Sequence, residues 1–200
     1  MPPGDKPSGT DIAKFILRLL ASILLVGLLT GCPSSKTEAT SANRAAPSTR
    51  NNCYSLLHQL LADEKDVSLL RFIKREHADV SKLIKKIAST SGTDCTLLEK
   101  LAHDDPSIDL KDIGLPPGEV ATRDSIAFTK KKELLGQKGD ELELTLLLTQ
   151  TEALSYAWHL AEVASENESQ PDRVRELAGV SEEMKNLYQE VFAMLLSKGK

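Results

Sequence analysis

Apolar side chains recur at spacings of three and four residues through most of the chain after position 52. Such spacing places them on one face of an α-helix. The C-terminal segment shows the pattern most fully, because one stripe follows Pro171 and continues almost to the end of the chain. Its members are Val174, Leu177, Ser181, Met184, Tyr188, Val191 and Leu195. Sustained two-residue alternation is not found and aromatic residues make up only 4% of the chain, so the sequence argues against a β-sandwich or barrel.

The same periodicity predicts the first two helices. The first stripe comprises Leu56, Leu60, Val67, Leu70, Ile73 and His77. A turn at 77–79 separates it from the second helix, and Asp79 has a side chain suited to the N-cap of that helix. The second helix continues to about Leu101, and Gly92 is expected to interrupt or bend it.

Two further helices are predicted from their boundaries. The third runs over 119–135, with Pro117 in its first turn, and Gly136 ends it. The fourth runs over about 140–165, where apolar residues again recur every three or four positions.

The last helix is expected to begin at Pro171, after a cap at Ser169 or Gln170. Short loops flank the fourth helix, so the helices that they join should be antiparallel neighbours. The Pro- and Gly-rich segment 104–118 is long enough for a crossover. The sequence therefore predicts an all-α fold, an antiparallel four-helix bundle with one additional shorter helix.

The N-terminus resembles a bacterial lipoprotein signal. Basic residues Lys6, Lys14 and Arg18 precede an apolar run that ends in Leu29-Thr30-Gly31-Cys32. The resemblance implies that the Cys32 thiol receives a diacylglyceryl group, that residues 1–31 are removed and that the new amine is acylated. The alternatives are a retained membrane anchor, for which the 13 residues from Leu19 to Gly31 are short of the ~20 that a span needs, and a chance cysteine after an ordinary signal.

Residues 32–51 are predicted to be the lipidated cysteine and a disordered tether, since 33–50 are rich in Ser, Thr, Ala and Pro. The folded domain would then be 52–200. The net charge is −4, which argues against a nucleic-acid partner and leaves the lipid as the attachment to the membrane. Pro33 follows Cys32, and in enteric bacteria an Asp there retains lipoproteins in the inner membrane. We therefore expect an outer-membrane lipoprotein that faces the periplasm, with the inner membrane as the alternative.

Two cysteines remain, Cys53 and Cys95. Export would place them in an oxidising compartment, so we expect one disulfide between them. The alternative is a pair of buried, unpaired thiols.

The order of helices resembles a ferritin-like family of exported bacterial proteins of unknown function, over about residues 55–197. The similar segments are the stretch from Ala78-Asp79-Val80 to Leu98-Glu99-Lys100-Leu101-Ala102, which resembles the family's second helix, and then Leu115-Pro116 and Gly139-Asp140-Glu141-Leu142. The resemblance implies a ferritin-like bundle, and no activity is implied by it.

A di-iron centre in such a bundle needs Glu-x-x-His on two helices. None of the four histidines has Glu three positions earlier, and motifs for nucleotide binding or hydrolysis are also missing from the sequence. We therefore expect no enzyme activity, no cofactor and no metal ligand. Glu152, Tyr156 and His159 share one helix face and are the speculative ligand-binding residues, the alternative being a half-buried face whose polar tips reach water.

These observations predict a lipid-anchored, non-enzymatic binding or scaffolding module of the cell envelope. Its partners would be the membrane, through the lipid, and an envelope protein. The alternative function is a ferritin-like module that binds a small ligand or a metal inside the bundle, and a third is an envelope enzyme whose site shows no motif.

Overall fold

The computed structural model of the protein describes residues 48–68 and 77–198. The predicted signal peptide 1–31, Cys32 and most of the predicted tether lie outside the described residues. So do Leu70 and Ile73 of the first predicted stripe.

Within the described ranges the chain forms five helices, so the all-α prediction is confirmed. They are α1 (Thr49–Glu64), α2 (Ala78–Asp104), α3 (Pro117–Gly136), α4 (Gly139–Glu166) and α5 (Pro171–Lys198). None of these helices combines the length and the apolar character needed to cross a bilayer.

Four of the helices form an antiparallel bundle. Helix α1 packs against α2 and α4, and α5 packs against the same two neighbours. Helices α2 and α5 run in opposite directions. Asp105, just after the end of α2, pairs with Arg173 near the start of α5, whereas Lys86 in the first half of α2 pairs with Glu190 near the end of α5. The fifth helix, α3, packs chiefly against α4 and is the additional helix outside the bundle.

Helix α3 is the crossover that the topology requires. Helix α2 ends beside the start of α1, where Arg50 donates to Ser107. Helix α3 then returns the chain to the opposite end, with Arg123 beside Tyr156 and Lys130 beside Glu152. As a result α4 can run antiparallel to α1, so the crossover is itself a helix.

The bundle axis is filled with large apolar side chains. Each fully buried side chain of this size adds about 1.5–3 kcal/mol to the stability of the fold, because it is removed from water. In α3, by contrast, Leu134 is the single buried residue. The largest fully buried residues include Tyr54, Leu57, Leu61, Ile84, Ile87, Leu98, Leu147, Leu154, Leu177 and Met184.

Helix α1 begins at Thr49, before the predicted boundary at 52. The Ser48 side chain caps the helix by accepting the N–H of Asn51 at 3.2 Å. Asn51 in turn exchanges two hydrogen bonds with the backbone of Asp109. Contacts with the 105–109 loop therefore extend the helix into a segment whose composition predicted a tether.

Three other sequence predictions concern helix boundaries and breaks. The N-cap of α2 is His77 and not Asp79, which lies in the first turn and accepts the N–H of Val80 at 2.8 Å. Helix α2 passes through Gly92 without interruption. Pro117 lies in the first turn of α3, and Gln170 accepts the first N–H bond of α5, as predicted.

A buried carboxylate joins three segments at the end of the bundle where α1 begins. Glu168 follows α4, and its Oε2 accepts a 2.9 Å hydrogen bond from the hydroxyl of the fully buried Tyr54. Its Oε1 accepts the backbone N–H groups of Ser169 and Gln170. Burial alone would raise the pKa of Glu168, but these donors and Arg173 lower it overall. We call this group, with Arg50 and Asp105, the Glu168 cluster.

We expect Tyr54→Phe to lower the free energy of unfolding by about 1–3 kcal/mol, because it removes a donor from a buried carboxylate without changing the packing of the ring. Chemical denaturation measures the change. Tyr188→Phe on α5 is the matched control, since Tyr188 is only partly buried. Equal losses in the two variants would contradict a specific contribution of the Tyr54 hydroxyl.

Candidate functional site

The predicted disulfide between Cys53 and Cys95 is absent, and both thiols are free and buried. The register of α1 on α2 gives the reason. His58 lies 3.3 Å from Glu99, and Lys65 lies beside Gly92. Cys53 is therefore level with about residue 104, which is about 13 Å from Cys95 along the helix axis, whereas a disulfide needs Cα atoms within about 7 Å. The prediction of this bridge was wrong.

The speculative ligand residues on α4 each have a partner of their own. Glu152 pairs with Lys130 of α3. The hydroxyl of Tyr156 accepts a 2.9 Å hydrogen bond from Arg123, whose guanidinium lies 5.1 Å from the centre of the ring. The Nδ1 of His159 donates to the carbonyl of Ser155 in its own helix, at 2.7 Å.

These three side chains share a face of α4, and no contact joins them to one another among the described residues. Glu152 and His159 are exposed, and Tyr156 is partly buried. The face thus contacts α3 through Lys130 and Arg123, and it does not line the interior of the bundle. The geometry agrees with a half-buried helix face.

A different set of side chains meets between α1 and α2. Cys95 and Glu99 lie one turn apart on α2, and His58 faces them from α1. The Nε2 of His58 is 3.3 Å from Oε1 of Glu99, and the thiol of Cys95 donates to the same oxygen at 3.7 Å. One atom from each of the three residues lies within 4.8 Å of the others. We call this the His58–Cys95–Glu99 cluster.

The electrostatics of this cluster follow from its position at the edge of the core. Burial is the largest effect on Cys95 and raises the pKa of its thiol, although Lys65, 4.0 Å from the sulfur, acts in the opposite direction. The hydrogen bond with His58 lowers the pKa of Glu99. The cluster thus holds a carboxylate that accepts from a neighbouring thiol.

Another cluster, around Glu143, lies at the end of the bundle opposite the Glu168 cluster. Glu143 is only 1% exposed, and its carboxylate accepts hydrogen bonds from the backbone N–H of His77, from the His77 ring and from Lys198 at 2.6 Å. Burial would raise the pKa of Glu143, yet these donors lower it overall. Asp140 also approaches, so His77, Asp140 and Glu143 could offer ligand atoms to an ion. The ammonium group of Lys198 already pairs with this carboxylate, so the cluster acts as an ion-paired anchor.

The bundle interior holds a polar pair without hydrogen-bond partners. Ser91 is fully buried and Asp94 is 4% exposed, and both lie on α2. Among the described residues, none forms a hydrogen bond with the Ser91 hydroxyl or with Oδ2 of Asp94. Burial, and secondarily the charge of Glu183 on α5, raises the pKa of Asp94 to about 7. Asp94 therefore titrates near neutrality inside the bundle.

Sequence reasoning missed the His58–Cys95–Glu99 cluster because its members come from two helices whose register is a tertiary property. The one local signal was the four-residue spacing of Cys95 and Glu99, which puts two potential ligands on one helix face. His58 carries no comparable signal, since its position in α1 points to a ligand only once Glu99 is known to lie opposite.

Comparisons of the chain with models of protein families, with curated proteins and with solved structures found no match. The ferritin-like resemblance and the lipoprotein signal therefore stay predictions.

We expect Asp94→Asn to stabilise the fold at pH 8 and to have little effect at pH 4. The unfolded carboxyl ionises near pH 3.8 and the folded one near 7, so the stability of the parent protein falls as the pH rises between these values. Each tenfold change in proton affinity is worth about 1.4 kcal/mol, so the shift from 3.8 to about 7 corresponds to a gain of about 4 kcal/mol at pH 8.

Denaturant unfolding at the two pH values measures this effect. Asp172→Asn, at an exposed position in the first turn of α5, is the control and should show no such gain. A gain of the same size at both pH values would mean that Asp94 does not titrate as its burial predicts.

Proposed function

We propose that the protein is a lipid-anchored lipoprotein whose helical bundle serves as a non-enzymatic binding or scaffolding module of the cell envelope. The observation that carries the proposal is Leu29-Thr30-Gly31-Cys32, which directly follows a basic segment and an apolar run too short to span a bilayer. Lipidation of Cys32 would make it the first residue of the mature chain.

The charge of the chain supports attachment through lipid rather than through electrostatics. The chain is acidic, with 29 acidic and 25 basic residues, and removal of 1–31 takes away more basic than acidic residues. An acidic surface is not attracted to an anionic leaflet. A single acyl chain binds only marginally, whereas two or three hold a protein stably, as the diacylglyceryl modification with N-acylation would provide.

The apolar side chains along the bundle axis and the paired carboxylates at its two ends support a role without catalysis. Residues such as Leu57, Ile84, Leu147 and Met184 fill the axis. The polar clusters at the two ends consist of carboxylates that already pair with arginine, lysine or backbone N–H groups. Groups engaged in this way hold helices together, and they are poor acids or bases for chemistry.

An envelope protein is the partner that we propose besides the membrane. The described surface carries exposed apolar side chains on α3 and α4, among them Ile126 and Phe128, each about half exposed, and Leu144 and Leu148. Exposed apolar patches are typical of protein–protein contacts, and we propose that these side chains contact such a partner. The residues after Cys32 favour the periplasmic face of the outer membrane, since Pro33 stands where Asp would retain the protein in the inner membrane.

The second candidate is a ferritin-like module that binds a small ligand or metal in the bundle interior. Its specific support is the Ser91–Asp94 pair, whose buried oxygen atoms lack partners among the described residues. A ligand there would complete hydrogen bonds that the fold leaves open.

The lipid anchor is tested by Cys32→Ala in a bacterial host grown with labelled palmitate. The parent chain should take up the label, lose residues 1–31 and sediment with membranes, whereas the variant should stay unlabelled and uncleaved, because the modified thiol is missing. Cys53→Ala is the matched control and should be labelled like the parent. Unchanged labelling of Cys32→Ala would overturn the proposal.

The choice of membrane is tested by Pro33→Asp in an enteric host. The parent protein should fractionate with the outer membrane, and the variant should shift to the inner membrane. Ser34→Ala, one position later, is the control and should leave the distribution as it is. If the parent and Pro33→Asp both fractionate with the inner membrane, the outer-membrane assignment is wrong.

A further inference from the structure

We propose that His58, Cys95 and Glu99 bind a divalent transition-metal ion of the zinc class between α1 and α2. This inference goes beyond the proposed anchoring, and it concerns a different place from the bundle interior. No metal ligand is expected from the sequence, so the proposal rests on the side-chain geometry.

The spacing of the three side chains fits a tetrahedral ion. Zinc bonds of about 2.0–2.2 Å to nitrogen and oxygen and about 2.3 Å to sulfur give tetrahedron edges of about 3.4 Å between nitrogen and oxygen and about 3.6 Å between sulfur and oxygen. The corresponding distances are 3.3 Å from His58 Nε2 to Glu99 Oε1 and 3.7 Å from Cys95 Sγ to that oxygen. The third pair, Cys95 Sγ and His58 Nε2, lies within 4.8 Å.

The backbone already holds the ligands in place. Cys95 and Glu99 are fixed one helical turn apart on α2, and α1 carries His58 to the same level by packing against α2. A site on two packed helices requires side-chain rotations and no rearrangement of the chain. The ligand types are those of zinc, and three protein ligands leave one tetrahedral position for water or another donor.

The graded burial of the cluster gives an ion a route from solvent. Cys95 is buried, His58 is partly buried and Glu99 is exposed. A bound ion would therefore lie at the rim, with its sulfur ligand on the core side. Cys53 is a useful contrast, because it is also buried, on α1, but lies about 13 Å from Cys95 along the helix axis by the register described above.

Metal binding requires two local changes, and each of them affects the affinity in a way that can be measured. The Cys95 S–H must lose its proton to the solution, since the thiolate is the ligand. Lys65, whose Nζ lies 4.0 Å from the sulfur, must move away from the incoming cation, and its exposed position allows this. Binding should therefore weaken as the pH falls and should tighten when the charge of Lys65 is removed.

The second triad, His77–Asp140–Glu143, does not share these properties. It has no sulfur, and the ammonium group of Lys198 lies 2.6 Å from the Glu143 carboxylate. It therefore serves as an internal comparison for weak, sulfur-free binding.

The test is a cobalt(II) titration of the full chain, purified in detergent, reduced, and stripped of metal with a chelator. Cobalt replaces zinc in tetrahedral sites and absorbs by charge transfer when a thiolate is bound. One ion should bind per chain with this absorption, and zinc should displace it. Cys95→Ser should abolish the absorption, and His58→Gln or Glu99→Gln should weaken binding at least about tenfold.

The control variants make the result specific. Cys53→Ser should bind cobalt like the parent, and Lys65→Gln should bind it more tightly. Absence of the charge-transfer absorption, its survival in Cys95→Ser, or its loss in Cys53→Ser would overturn the proposal. If Cys95→Ser loses its helical circular dichroism, the more exposed His58→Gln decides, and parent-like affinity in that variant refutes the site.

Discussion

The carboxylate of Glu168 holds the start of α1 against the α4–α5 hairpin, and the arrangement of the other helices depends on this contact. Helix α1 is the shortest of the five helices, with 16 residues, so packing alone fixes its axial position less firmly than that of its longer neighbours. The hydrogen bond from Tyr54 and the pairing of Arg173 with Asp105 bring the starts of α1 and α5 and the ends of α2 and α4 to one level. That level then determines which residues of α1 and α2 face one another.

The bundle could be predicted from the sequence because its information is local. The three-four spacing of Val174 to Leu195 needs only the helical repeat, and Pro171 marks its own helix start through its fixed φ. Gly139 likewise marks the turn into α4, where its φ is +58°. The start of α2 could not be predicted in the same way, because Glu143 from another helix accepts the N–H of His77 and replaces the local cap that Asp79 was expected to provide.

The same distinction between local and tertiary information applies to the candidate sites. Glu152, Tyr156 and His159 are neighbours by helical spacing alone, and α3 engages the first two through Lys130 and Arg123, which no spacing on α4 could indicate. The disulfide between Cys53 and Cys95 was expected because two cysteines remain after Cys32, but the register of α1 on α2 keeps the two thiols apart. The same register puts His58 opposite Glu99, so one tertiary property both excludes the disulfide and creates the metal-ligand geometry.

The folded domain would receive any force from a lipid anchor at Thr49, because the proposed tether joins the bundle there. Helix ends fray most easily, since their terminal N–H groups have no partners within the helix. Here Ser48 caps the helix, Arg50 contacts the Ser107 hydroxyl, and Asn51 bonds to the backbone of Asp109. These bonds distribute a pull over the loop that follows α2 before it reaches the core at Tyr54.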